Sequence, residues 1–306
     1  MGIKTTLFND SACPWGYSAN PALSVLRWRY RDQLDWRLVV IVLREEAPQP
    51  SAGGFTPARA ARFSRVFRDR YGMPFSASPR ERLVPTALPC RAVVATRLLH
   101  PGREIAVMRA LQFAWFNSDE LLDSGSAIER VLDPVAGIDA HAIVAALDSP
   151  AVSEAYAADK AEARSAAGGA TEFQGKAAHD GELVRYTAPS VIFEQGGRRL
   201  EVGGFQPLEA YDVAIANLDV TLERTPPPDG PLPLLEYFTD GLTTQEVAAL
   251  LAGNLVDPDR AGAEEALIEL AAEGLVEREP LGDDALWLTA AAGEARSARS
   301  GVLAAT

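Results

Sequence analysis

Cysteine is scarce in this chain, which has 306 residues but contains only Cys13 and Cys90. Two cysteines cannot form the disulfide framework that stabilises small secreted domains. The chain also lacks an apolar run long enough to span a membrane. Its first residues do not show the charged and apolar regions of a signal peptide. We therefore expect a cytoplasmic protein that has no membrane partner.

Positive charge and histidine are scarce as well. Lys and Arg number 29 against 42 Asp and Glu, so the net charge is −13. Such an acidic chain repels phosphate backbones, and we expect no nucleic-acid partner. Arg outnumbers Lys and Ala is abundant, which is typical of a GC-rich bacterial genome. His100, His141 and His179 are not spaced with Cys, Asp or Glu as metal ligands, so we predict no metal site and no bound cofactor.

The first 43 residues have the pattern of a strand, a helix and a second strand. Residues 3–8 (IKTTLF) are β-prone and are followed by a polar loop. Cys13 and Pro14 then open a helical pattern, because Pro is favoured in the first turn of a helix. Residues 35–43 (DWRLVVIVL) form an almost continuous apolar run, which is typical of a central strand covered on both faces. The pattern predicts a parallel βαβ unit.

A helical block is predicted from about residue 48 to residue 185. Its start is marked by Pro48, Pro50, Gly53 and Gly54, which favour a loop. Helical periodicity then dominates the block. Its clearest helical stretches are residues 90–99, 103–116, 138–147 and 151–166.

Strand patterns return after this block. Residues 190–194 (SVIFE) and 199–202 (RLEV) flank a Gly-Gly turn and predict a hairpin. A helix is predicted over residues 207–222. The order is therefore β-α-β, a helical block, then β-β-α. We predict an α/β domain over residues 1–225.

A stiff linker, residues 226–231 (PPPDGP), opens a second predicted unit that covers residues 226–306. Three short helices and a hairpin are predicted in this unit, with the second helix opening at Thr243. The order resembles a winged helix-turn-helix. Its third helix, residues 261–273, carries four Glu and no basic residue, and the unit holds 15 acidic and four basic residues. DNA would be repelled, so we expect a scaffold, a dimerisation interface or a cover for the active-site cleft.

Three motifs in the first domain point to one family. Residues 11–17 (SACPWGY) closely resemble the CPWC segment of DsbA-like oxidoreductases, especially FrnE-type proteins and 2-hydroxychromene-2-carboxylate isomerases. Residues 186–193 (YTAPSVIF) resemble the segment where that family places a cis-proline before a core strand. Residues 202–207 (VGGFQP) resemble its loop into the last helix. The resemblance covers about residues 3–222 and implies a thioredoxin fold with a helical insertion.

Cys13 is the predicted catalytic residue. A thiolate is the nucleophile in thiol chemistry, and a helix N-terminus favours the anion, so we expect a lowered pKa. The resemblance implies that the backbone of Thr187 and Ala188, beside Pro189 in the cis state, binds an incoming thiol. Pro14 and Trp15 would border the same site, where Trp15 either stacks on a substrate or anchors the helix to the core.

Gly16 departs from the family motif, which has its second cysteine at this position. Cys13 cannot resolve a mixed disulfide with Gly16. We expect a thiol-disulfide oxidoreductase-like enzyme whose mixed disulfide is resolved by a low-molecular-weight thiol such as glutathione or its bacterial equivalent. Two alternatives remain open: activation of such a thiol for an isomerase or transferase reaction on a small electrophile, or a non-catalytic binding role. The related isomerases and kappa-class glutathione transferases use a Ser at this site for the first of these alternatives.

Two further positions border the site by resemblance. Cys90 is a candidate resolving cysteine, although free cysteines are more often packed helix residues. Thr86 is expected to line the cleft. A basic patch, Arg59, Arg62, Arg65, Arg68 and Arg70, is interpreted either as a solvated helix face or as a grip on a carboxylate-bearing cosubstrate thiol.

Overall fold

The βαβ unit predicted at the start of the chain is present. The structure is a computed structural model that describes residues 2–46 and 56–303. Strand β1 (Ile3–Asn9) pairs in parallel with β2 (Leu34–Val40), and helices α1 (Pro14–Ser18) and α2 (Asn20–Tyr30) connect them, followed by a short 3-10 helix at Arg31–Gln33. The predicted helix is broken into two because a proline at the start of α2 cannot continue the hydrogen-bond ladder of α1.

The second half of the domain completes one four-stranded sheet. Strands β5 (Ser190–Gln195) and β6 (Arg198–Val202) form the predicted hairpin, and α10 (Leu208–Leu218) follows. The strand order is β2-β1-β5-β6, with β5 antiparallel to β1. This is the thioredoxin fold, as expected. The pairing of Phe8 with Ser190 places the end of β1, and therefore Cys13, beside the start of β5.

The helical block ends earlier than predicted. The helices run only to Phe173, and a two-stranded hairpin of β3 (Ala177–Asp180) and β4 (Leu183–Tyr186) fills the rest of the predicted block. The loop predicted around Pro48 and Gly54 lies outside the described residues. The helices are α3 (Pro57–Tyr71), α4 (Ala87–Leu99), α5 (Glu104–Asn117), α6 (Gly125–Leu132), α7 (Ala140–Ala146), α8 (Pro150–Ala163) and α9 (Ala170–Phe173).

The C-terminal unit contains the three predicted helices and the hairpin, together with a two-residue strand and a final helix that were not predicted. Its small sheet has the order β7-β9-β8 and is antiparallel. No helix within residues 2–46 and 56–303 is long and apolar enough to cross a membrane. The elements are α11 (Leu232–Tyr237), β7 (Leu242–Thr243), α12 (Thr244–Leu251), α13 (Arg260–Ala272), β8 (Val276–Leu281), β9 (Asp284–Thr289) and α14 (Ala290–Leu303).

The C-terminal unit packs against the thioredoxin domain through α2. Val25 and Trp28 of α2 belong to the hydrophobic core of the C-terminal unit rather than to the core under the sheet. Glu246 of α12 forms a buried ion pair with Arg109 of α5 at 2.7 Å and accepts a hydrogen bond from Ser24 of α2. These contacts join the two units over a buried face.

Candidate thiol site around Cys13

Cys13 occupies the N-cap of α1, as the sequence predicts. Its backbone is extended, and the Gly16 N–H donates a hydrogen bond to its Sγ at 3.5 Å. Pro14 follows at the start of the helix, where its missing N–H leaves no hydrogen bond unmade. The Cys13 N–H donates to the Asp10 carbonyl at 3.3 Å, which closes the turn between β1 and the helix.

Burial dominates the ionisation of Cys13. The residue is only 6% exposed, and its thiol donates to the Ala188 carbonyl at 3.2 Å. Burial raises the pKa of Cys13 to about 12, and the Asp10 carboxylate adds to the rise, although the Gly16 N–H acts in the opposite direction. The lowered pKa expected from the helix N-terminus is therefore wrong for this conformation, and the group is a neutral thiol at pH 7.

The loop before β5 contacts the thiol through a cis-proline. The Ala188–Pro189 peptide bond is cis, and the Ala188 carbonyl faces Cys13. Ser190 fixes this loop because its hydroxyl donates to the Thr187 carbonyl at 2.7 Å and accepts from the Gly204 N–H at 3.0 Å. The three sequence motifs therefore meet at one place in the fold.

Gly16 is packed too tightly for the second cysteine of the family motif. A Cβ atom at position 16 would overlap Oδ1 of Asn9. The Asn9 side chain is buried, and its Oδ1 accepts the Asp10 N–H at 2.9 Å. The space that a resolving cysteine needs beside Cys13 is occupied by Asn9.

Asp10 is a site residue that the sequence reasoning missed. Its carboxylate is fully buried and accepts hydrogen bonds from the Ala12 N–H at 2.8 Å and the Leu43 N–H at 2.9 Å. It thereby ties the loop before α1 to the segment that follows β2. A polar residue directly after a buried strand is the signal that could have identified it.

Cys90 also contacts Asp10, but it has the character of a packed helix residue. It is fully buried in α4, and its thiol lies 3.6 Å from Oδ2 of Asp10. Burial raises its pKa well above the ordinary value. Both cysteines are free thiols, and nothing in this arrangement prepares Cys90 to resolve a disulfide of Cys13.

The other predicted site residues fall in two places. Trp15 is 39% exposed and packs edge-on against Phe67 at a centroid distance of 4.8 Å, so it both anchors α1 and keeps an accessible face. Thr86 does not line a cleft. It is fully buried, and its hydroxyl accepts the Arg44 N–H at 3.0 Å.

A cavity of about 660 Å³ lies beside the Cys13 turn, with Ala12 and Pro14 at its edge. Two arginines of the predicted basic patch, Arg59 and Arg62, line the cavity. Arg65 and Arg68 of the same patch form ion pairs with Asp69. No group of three potential metal ligands occurs within the described part of the chain. The side chains around the cavity include Arg44, Arg59, Arg62, Phe75, Arg80 and Trp115.

Comparisons with known proteins give a consistent family. A candidate protein disulfide isomerase from Nitrosomonas europaea is similar with a TM-score of 0.54 and 18% identity, covering 72% of this chain and 97% of that one. A probable DsbA oxidoreductase from Streptomyces coelicolor is similar with a TM-score of 0.52 and 19% identity, covering 73% and 92%. No curated protein matches the sequence. The model of the DSBA-like thioredoxin domain matches residues 5–167, more than half of the chain, and the chain belongs to this family.

Proposed function

We propose that the protein is a thiol-dependent enzyme in which Cys13 remains a neutral thiol and hydrogen-bonds a low-molecular-weight thiol, which then reacts with a small electrophile. The observation that carries this proposal is the buried Cys13 thiol acting as a hydrogen-bond donor to Ala188. Its position at the helix N-cap beside the cis-proline loop is where the family binds an incoming thiol. Glutathione or its bacterial equivalent is the proposed cosubstrate.

Thiol–disulfide exchange through Cys13 is less well supported by the same geometry. Exchange begins with attack by a thiolate, and burial keeps the Cys13 pKa near 12. It also requires a partner that releases the mixed disulfide, and Asn9 fills the space beside Gly16. A neutral thiol at this position instead resembles the Ser hydroxyl of the related isomerases and kappa-class glutathione transferases, since both groups donate one hydrogen bond.

The proposed reaction needs no oxidant. The Cys13 S–H turns from Ala188 to the sulfur of the bound thiol and stabilises its thiolate, whose proton goes to solvent. The thiolate forms a C–S bond with an electrophilic double bond of the substrate. A proton then returns to the neighbouring carbon, which gives a thioether by addition. Elimination of the thiol after bond rotation would make the reaction an isomerisation.

We also propose that residues 226–306 form a winged-helix-like unit with a scaffold role. The order of helix, strand, two helices and hairpin supports this assignment, and the packing on α2 supports the role. A dimer contact on this unit is a second candidate role. Cytoplasmic location is proposed because two free thiols persist in a reducing compartment.

The proposed function predicts that Ser can replace Cys13, whereas Ala cannot. Conjugation of glutathione to 1-chloro-2,4-dinitrobenzene would be measured for the wild type and for Cys13→Ser and Cys13→Ala. Cys13→Ser should retain most of the rate, since the hydroxyl still donates. Cys13→Ala should lose about 10- to 150-fold, because a hydrogen bond to a charged group contributes about 1.5–3 kcal/mol.

Two results would contradict the proposal. If both variants lose activity equally and the wild type forms a mixed disulfide with glutathione disulfide, Cys13 is a redox nucleophile. If neither variant changes the affinity for glutathione or the conjugation rate, Cys13 has no part in the chemistry, and a binding role is favoured.

A further inference from the structure

A second, narrow cavity lies between strands β1 and β2 and helices α2 and α5. Its volume of about 20 Å³ exceeds the roughly 10–15 Å³ that one water molecule needs. The described residues around it include two arginines but no Asp or Glu. Its polar lining consists of Asn9, Asn20, Ser24, Arg27, Trp36 and Arg109.

Two buried N–H groups at this cavity have no acceptor in the described part of the chain. They are Nε1 of Trp36 and Nε of Arg109, and both atoms are shielded from solvent. The terminal nitrogens of Arg109 are bonded, Nη1 to the Gly241 carbonyl at 3.1 Å and Nη2 to Glu246 at 2.7 Å. Because an unsatisfied buried donor is costly, a ligand that accepts hydrogen bonds at this cavity would stabilise the fold.

Arg27 adds a positive charge that no carboxylate balances directly. No Asp or Glu forms an ion pair with it among the described residues, which include every Asp and Glu of the chain. Asp240 pairs instead with Arg103 at 2.6 Å. The Arg27 guanidinium lies 5.3 Å from the centroid of the Phe238 ring, which supplies no formal charge.

Burial and a like charge both act on Arg27. Burial lowers its pKa, and repulsion by Arg109 lowers it further, whereas Asp240 and Glu246 act in the opposite direction. Since Glu246 already pairs with Arg109, the charge left unbalanced at the cavity is that of Arg27. A water molecule would accept hydrogen bonds here, but it carries no charge to offset the arginine.

We infer that this cavity binds one small monovalent anion of the size of chloride, which accepts hydrogen bonds from Trp36 and Arg109 and balances the charge of Arg27. Such an anion has only acceptor capacity, and hydrogen bonds to an ionised group are stronger than those between neutral groups. Cys13 does not line the cavity, so the inference goes beyond the proposed function and does not rest on it.

The anion site is connected to the Cys13 turn by side-chain amides. Asn20 lines the cavity and donates from Nδ2 to Oε1 of Gln112 at 3.1 Å. Gln112 in turn donates from Nε2 to the Asp10 carbonyl at 3.3 Å, which also accepts the Cys13 N–H. A bound anion should therefore stabilise the core that supports this turn.

The test measures thermal unfolding in sodium chloride and in sodium gluconate at equal concentration, since gluconate is too large for the cavity. Chloride should raise the melting temperature of the wild type relative to gluconate, and the shift should reach about 2 °C when chloride is about tenfold above its Kd. Trp36→Phe and Arg27→Gln should lose most of this shift. Arg198→Gln, on the edge strand β6, is the control for loss of one positive charge and should keep it.

Bromide gives a direct measurement if either variant fails to fold. Crystals of the wild type grown in sodium bromide should show an anomalous peak in the cavity, within hydrogen-bond reach of Trp36 Nε1 and Arg109 Nε. Equal melting temperatures in the two salts, a shift that both variants retain, or a cavity without the bromide peak would overturn the inference. Cys13→Ala should keep the chloride shift, so a failure of the thiol chemistry and a failure of the anion site give different results.

Discussion

Two opposing effects act on the thiol of Cys13, and their sizes decide its charge. A helix N-terminus stabilises an anion by about 0.3–1 kcal/mol, which is less than one pKa unit. Full burial can shift a pKa by roughly 3–5 units. Burial therefore prevails, and the pKa of Cys13 rises to about 12. Because the folded pKa of Cys13 exceeds that of the unfolded chain, the free energy of unfolding should fall as pH rises from the unfolded pKa towards the folded pKa. Below the unfolded pKa the thiol should not change this free energy with pH.

The packing of Gly16 leads to a prediction about restoring the family motif. Gly16→Cys should destabilise the protein by about 1–3 kcal/mol, because the new side chain overlaps the buried Asn9. It should not form a disulfide with Cys13 in the folded protein. Adding Asn9→Ala should recover part of the lost stability and allow the disulfide. Urea unfolding and thiol counting after mild oxidation would measure both effects.

The matched control for this pair is Asn9→Ala alone. If Gly16→Cys forms the disulfide without loss of stability, Asn9 does not exclude the second cysteine. The absence of that cysteine would then have no steric cause in this fold.

Local sequence rules predicted the elements that have strong signals. The start of α12 is an example, since Thr243 and Glu246 form a capping box that the TTQE sequence specifies. The β3–β4 hairpin gave no comparable signal, because its strands have four residues each and β3 has no buried residue. Helix α14 was missed because its alanine-rich sequence carries no strong apolar stripe.

Glu246 connects two elements from different units, and its removal should be costly. It pairs with Arg109 on α5, and both side chains are at least nine-tenths buried. Glu246→Ala should lower the free energy of unfolding by about 3–5 kcal/mol, because it leaves the Arg109 charge buried without a partner. The measurement is urea unfolding followed by tryptophan fluorescence, to which the buried Trp287 contributes.

The control for Glu246 is the exposed pair of Lys4 and Glu194. Glu194→Gln should change the free energy of unfolding by less than about 1 kcal/mol, since exposed ion pairs contribute little. Equal effects of the two variants would show that the Arg109–Glu246 pair does not hold the units together.

At the scale of the whole molecule, the site combines positions that sequence patterns identify with positions that only the fold brings together. The motif around Cys13 and the cis-Pro189 loop could be predicted because each adjoins a predicted core strand, Cys13 after β1 and Pro189 before β5. Asp10 was overlooked although it adjoins the motif. Arg44 and Trp115 could not be paired from the sequence, because about seventy residues separate them and no short-range period connects them.

The shared face of α2 predicts that the thioredoxin domain depends on the C-terminal unit. A chain ending at residue 225 would expose Val25 and Trp28, which pack in the core of the C-terminal unit. We expect this truncated chain to melt at a lower temperature than the full chain and to aggregate. Circular dichroism melting and light scattering would check this. An unchanged melting temperature would contradict the proposed scaffold role.

The neutral state of Cys13 is the central claim, and the pH dependence of its alkylation by iodoacetamide tests it most directly. The measurement would use the Cys90→Ala variant, with the urea-unfolded protein as the reference for an ordinary thiol near pH 8.5. The folded protein should react slowly and should show no inflection until well above that pH, as the pKa of about 12 requires. An inflection clearly below pH 8.5 would show an activated thiolate and would favour disulfide exchange through Cys13.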